Sequence, residues 1–140
     1  MNIYSFVADN GENIHIDSML LRKWCISHRP EIFLIPIRAH VAEKMIPENS
    51  IAIDRVIELS VRNNLDPIIM VKDGTSDAKG APNVLLVDGH HRYFLAYIRK
   101  QELIQGYLIE EPQWRPFQIH WMPDLTKEQL IKTPITKRRY

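Results

Sequence analysis

Between Asp88 and Arg92 the chain places an acid, a glycine, two histidines and an arginine in five consecutive positions, inside the stretch "VLLVDGHHRYFLAY". Strand-like apolar residues precede this group and a helix-compatible apolar pattern follows it, so it falls where a strand hands over to a helix. A helix that starts in this way leaves its first amides unpaired, and its dipole adds partial positive charge at the same point, which suits an anion. Gly89 carries no Cβ to hold a phosphate off the backbone, and Arg92 supplies a permanent charge with a forked donor set. His90 and His91 could donate to phosphate oxygens or serve as acid or base near neutral pH. A plainer reading stands beside this one: Asp88 caps the helix, Gly89 turns the chain, and the histidines are solvated first-turn residues. A zinc site fits less well, because adjacent histidines on a helix diverge, unlike the i, i+4 pair that grips a metal from one face. No metal ligand is therefore assigned.

The neighbouring segments predict the elements that hold this group. "NIYSFVADNGENIHID" alternates around Asn10-Gly11, which favours a hairpin turn, and Ser18 is placed to cap a helix running to about Ser27 before Arg29-Pro30 stops it. "EIFLIPIRAH" reads as a strand that Pro36 confines to an edge or a bulge. "IAIDRVIELSVRNN" has helical spacing, and "PIIMVK" is the next strand. Asp73 to Asn83 is a loop suited to joining two adjacent strands, the second being "VLLVD". A helix to about Lys100, strands at "GYLIEE" and "FQIHW", and a capping box at Thr126-x-x-Gln129 complete the pattern. The alternation predicts a small α+β (α/β) domain with a mixed sheet and flanking helices.

Bulk properties bound the function. One domain is expected over residues 1–140, with a core from about 32 to 110, a hairpin and helix before it and an extension over 111–140. Eighteen basic side chains against seventeen acidic give a net charge of +1, so any anion site has to be local. The single Cys25 excludes an internal disulfide, and no signal-like or membrane-spanning run is present, which points to a cytoplasmic protein. Trp114 and Trp121, with Tyr107, Phe117 and His120, make the C-terminal third aromatic; packing explains them better than base stacking. Lys137-Arg138-Arg139 reads as a solvated basic tail.

"DPIIMVKDG", followed after a loop by "VLLVDGHHRYFLAY", resembles the superfamily of sulfiredoxins and ParB N-terminal domains, in which a helix, a "PI-x-V" strand and a hairpin lead to a Gly-x-His-Arg-like or Gly-Glu-Arg-Arg-like turn. The resemblance spans about Ile32 to Lys100, roughly half the chain, and includes the upstream "IDRVIELSVRNNL". It implies that Gly89, His90, His91 and Arg92 cradle nucleotide phosphates, with Asp88 orienting the loop or helping to hold Mg²⁺ through water.

The motif also separates activities within that superfamily. Sulfiredoxins carry a reactive cysteine where this chain has His90, and Cys25 lies far away in sequence, which argues against sulfinic-acid repair. The chain also ends before the helix-turn-helix and dimerisation domains of partitioning ParB proteins. The Asp-Gly-His-His-Arg form looks most like the branch containing free serine kinases, and "IRAHVAEKMIPEN" is similar to their His-Glu segment, with His40 and Glu43 two residues further apart. That resemblance makes Glu43 a candidate base if it faces the phosphate turn, the plainer reading being an exposed loop carboxylate, with His90 and His91 as further catalytic candidates. The expected ligands are ATP or ADP, or CTP, with Mg²⁺, and a small hydroxyl acceptor. A ParB-like DNA-binding or nuclease module, or one whose partner binding is gated by nucleotide, is the alternative.

Overall fold

The computed structural model describes residues 3–8, 11–47, 51–62, 64–76 and 78–120. Two strands, β1 (Ile3–Val7) and β2 (Asn13–Asp17), form an antiparallel hairpin as the Asn10-Gly11 turn predicts. Gly11, at φ +86°, supplies the left-handed conformation such a turn needs. Helix α1 (Ser18–His28) follows directly. Its cap is Asp17 rather than Ser18: the Asp17 carboxylate accepts from the Leu20 amide at 3.1 Å. The helix ends on Arg29 at φ +49°, whose amide donates to the Cys25 carbonyl, and Pro30 then prevents any continuation.

Strand β3 (Ile32–Pro36) leads through a short helix, α2 (Ala39–Glu43), to helix α3 (Ile53–Ser60). Strands β4 (Ile68–Ser76) and β5 (Pro82–Asp88) form the expected hairpin, and helix α4 (His90–Ile98) returns the chain to β6 (Leu103–Ile109). The sheet order is β3-β6-β4-β5, with β4 and β6 parallel and the other pairs antiparallel, which is the mixed α+β sheet predicted. β3 lies at one edge, so Pro36 deletes no donor that an inner strand would require.

Both faces of this sheet are covered, which explains why β4 and β5 read as continuous apolar runs. Ile69 and Val71 of β4, with Leu85 and Val87 of β5, face a core shared with Phe6, Ile14, Leu21 and Trp114. Ile68, Met70, Val84 and Leu86 point the other way, into a core with Val41, Val56, Leu59 and Tyr93. The hairpin, α1 and the C-terminal turn therefore cover one face, and α2, α3 and α4 the other. Trp114, in the short helix α5 (Glu111–Trp114), is fully buried and donates its indole N–H to the Lys72 carbonyl at 2.6 Å, the packing role expected of it.

Over the described part of "FQIHW", residues 117–120, there is no strand. Phe117 closes a 3₁₀ turn, Arg115–Phe117, and among the described residues beyond it one bridge joins Gln118 to Ile16, supported by the Ile119 amide donating to the His15 carbonyl at 2.7 Å. The predicted capping box at Thr126 to Gln129, Trp121 and the Lys137-Arg138-Arg139 tail lie outside the described residues. Among the described residues no helix is long and apolar enough to cross a membrane.

Candidate functional site: an arginine-lined cleft at the start of α4

The β5–α4 junction depends on Gly89, which stands at φ +101° as the N-cap of α4. A Cβ built there would lie 2.6 Å from Ile68 Cγ2 and 3.1 Å from Arg92 Nη2. The space that glycine leaves open therefore faces the interior. Its role is to make the turn and to admit the packing of Ile68, and not, as the sequence suggested, to let a phosphate approach the backbone. No side chain caps α4. Asp88, the expected capping candidate, turns instead to Arg92, whose Nη2 donates to Asp88 Oδ2 at 2.8 Å.

Arg92 itself is buried and committed. Its Nη1 donates to the backbone carbonyls of Asp66 and Pro67, so the guanidinium ties the entrance of β4 to the first turn of α4. It contributes charge to the site, but its fork is occupied by protein rather than open to a ligand. His91 is also held: its Nε2 accepts from the Ala52 amide at 3.0 Å, at the start of α3. Burial, and then the charges of Arg55 and Arg92, lower the His91 pKa, so the ring is neutral and Nε2 is already engaged. That arrangement argues against His91 as a proton acceptor at Nε2. The His90 ring lies against Tyr4, with centroids 6.2 Å apart, and lines the cleft.

The cleft in front of this turn has a volume of about 280 Å³. Gly89, His90, His91 and Arg92 form its floor, and Arg22 from α1, Arg55 from α3 and Arg62 close behind α3 form its walls. Two acids, Asp66 and Asp88, also line it, so four guanidiniums face two carboxylates. Arg22 donates to Asp66 Oδ2 at 2.7 Å, which raises the Arg22 pKa further, and its Nε stands 3.9 Å from Asp88 Oδ2. Arg55 and Arg62 both donate to Glu58 Oε1 at 2.7 Å, holding that carboxyl below its ordinary range through the hydrogen bond from Arg55 above all. Exposed pairs of this kind hold their partners weakly, so both arginines can turn toward a competing anion.

Glu43 is not part of this cleft. It is exposed at the end of α2 and accepts from the Tyr97 hydroxyl at 2.7 Å, and that bond raises the Tyr97 pKa. Tyr97 lies six residues beyond His91 on α4, an axial rise of about 9 Å, so Glu43 stands well away from the Asp88–Arg92 turn. His40, on the same short helix, and Lys44, just beyond it, are not among the lining residues either. The sequence reading singled out none of Arg22, Arg55 or Arg62 as site residues. Arg55 and Arg62 are seven residues apart, two helical turns, which is a signal for a shared face. Arg22 has no local signal, because only the packing of α1 brings it there.

Mg²⁺ has no ready-made protein cage here. Among the described residues no group of three or more His, Cys, Asp or Glu is placed to hold a metal, and Asp88 Oδ2 is engaged by arginine. A hard cation would have to arrive on phosphates, with Asp66 and Asp88 acting on its water shell. Comparison with family models, curated proteins and solved structures finds no match to this chain.

Proposed function

We propose that the chain binds a nucleotide by its phosphates in the arginine-lined cleft and transfers or hydrolyses the terminal phosphoryl group. The observation that carries this reading is the convergence of Arg22, Arg55, Arg62 and Arg92 on the uncapped start of α4. A concave site with converging guanidiniums and backbone amides stabilises a phosphate and the charge that spreads over it during transfer. In-line displacement needs little covalent help from the protein, so positioning and charge supply most of the catalysis. Within this reading His90, a residue of the cleft lining, is the remaining candidate to hold a proton near the transferred group.

This reading agrees with the resemblance of the turn to free serine kinases, and it makes a small hydroxyl compound or water the acceptor. It also places the protein in the cytoplasm, where nucleotides are found. Sulfinic-acid repair receives no support, since Cys25 is buried and burial, assisted by the Asp88 charge, pushes its thiol up to about 11. A DNA-binding role is less well supported, because the cations line a small concavity rather than a long stripe. Incubation with ATP, ADP or CTP, Mg²⁺ and a panel of hydroxyl acceptors, read by phosphorus NMR, tests the proposal. Turnover that falls at least tenfold in Arg62→Ala supports it; turnover equal to a blank refutes it.

A further inference from the structure

Beside the arginine cleft lies a second cleft of about 280 Å³, and the two share Arg62, Leu65, Asp66 and Arg92 along their common wall. The second lining is mixed: beside those shared residues and Arg99 it carries aliphatic and carboxamide side chains. Leu34 of β3, Leu95 of α4 and Ile104 of β6 give it aliphatic walls, and Gln101 and Gln105 add two carboxamides. Neither carboxamide makes a hydrogen bond with another described residue.

We propose that this second cleft is a nucleoside subsite, so that a nucleotide lies across Arg62 with its phosphates among the arginines and its base and sugar between the aliphatic walls. The proposal rests on the phosphate reading of the first cleft. A nucleotide is a polyanion joined to a flat ring with apolar faces and a polar edge, and the second cleft adds three aliphatic side chains and two carboxamides beyond the arginines it shares with the first. Leu34, Leu95 and Ile104 offer surface that the ring faces can cover, a gain of about 25 cal/mol for each Å² of apolar area removed from water. A carboxamide presents a donor and an acceptor together, which is what the edge of a base requires. A small zwitterionic acceptor such as serine would leave those aliphatic walls wet, so the acceptor is the poorer occupant.

Exposure makes the test practicable: Leu34 is 64 % exposed and Gln105 is exposed, so Leu34→Asp with Gln105→Ala should fold with an unchanged melting temperature. Gln101→Ala, in the turn before β6, is an independent second variant. Calorimetry with tripolyphosphate, ATP, GTP and CTP, each with Mg²⁺, separates the two halves of the ligand, and a parallel titration with serine reports on the acceptor. The expected result is that the double variant binds its preferred nucleotide at least tenfold more weakly while tripolyphosphate binding is unchanged, and that Gln101→Ala changes the ranking of the three bases. Tripolyphosphate binding as tightly as every nucleotide, or full nucleotide affinity in the double variant, overturns the subsite and leaves the phosphate reading intact. Loss of serine binding with nucleotide affinity retained also overturns it, by assigning the cleft to the acceptor. If the wild-type protein binds neither tripolyphosphate nor any nucleotide, the phosphate reading and the subsite fall together.

Discussion

Arg92 and Arg62 line the same cleft, yet their side chains are doing different things. Arg92 is buried on two backbone carbonyls and Asp88, so removing it leaves a partly buried carboxylate and two carbonyls without their donor. Arg92→Ala should therefore cost about 3 kcal/mol of stability, measured by urea denaturation. Arg62→Ala should leave stability nearly unchanged, because Arg62 is bonded only to the exposed Glu58 among the described residues. A ligand defect in Arg92→Ala would thus mix unfolding with lost charge, whereas one in Arg62→Ala reports on the cleft. His91 gives a second test at this scale. Its pKa is lowered in the fold, so the stability it supports is fully present above the ordinary value of 6.5 and is lost as pH falls below it. Denaturation midpoints measured between pH 7.5 and 5.5 should fall more steeply in the wild-type protein than in His91→Gln.

At the scale of elements, the β5–α4 junction is the most constrained part of the site. Gly89→Ala would need a positive φ and would drive a methyl group into Ile68, with an expected loss of about 2 kcal/mol or more in thermal unfolding. Strands β4 and β5 were legible because each is buried on both faces and reads as an unbroken apolar run, "IIMV" and "VLLV". Helix α2 was not legible: five residues are too short for a helical period to show. The cap of α1 was misread by one place, since Asp17 and Ser18 are both good caps and only the geometry chooses Asp17. "FQIHW" has the composition of a strand, but Pro116 lacks an amide donor and the preceding 3₁₀ turn leaves one bridging position to β2. The Asp88–Arg92 turn was visible as a motif. Its side-chain roles were not, because whether Arg92 bonds to protein or to ligand depends on where residues 66 and 67 lie, more than twenty positions away.

For the molecule as a whole, a net charge of +1 conceals a local excess of guanidinium, and that excess exists only because α1, α3 and α4 meet at one end of the sheet. The same packing seals Cys25 beneath the site, fully buried and with its thiol pushed up to about 11. A thiol reagent at pH 8 should accordingly leave the native protein unmodified and label Cys25 only after unfolding, a result readable by intact mass. The central claim, that the arginine cleft holds nucleotide phosphates, is tested most directly by calorimetric titration of wild-type protein and Arg55→Ala/Arg62→Ala with ATP, ADP and CTP in the presence of Mg²⁺. The account predicts that the wild-type protein binds at least one of the three, and that the double variant, with an unchanged melting temperature, binds it at least tenfold more weakly. Absence of binding to the wild-type protein, or equal affinity in the variant, would contradict it.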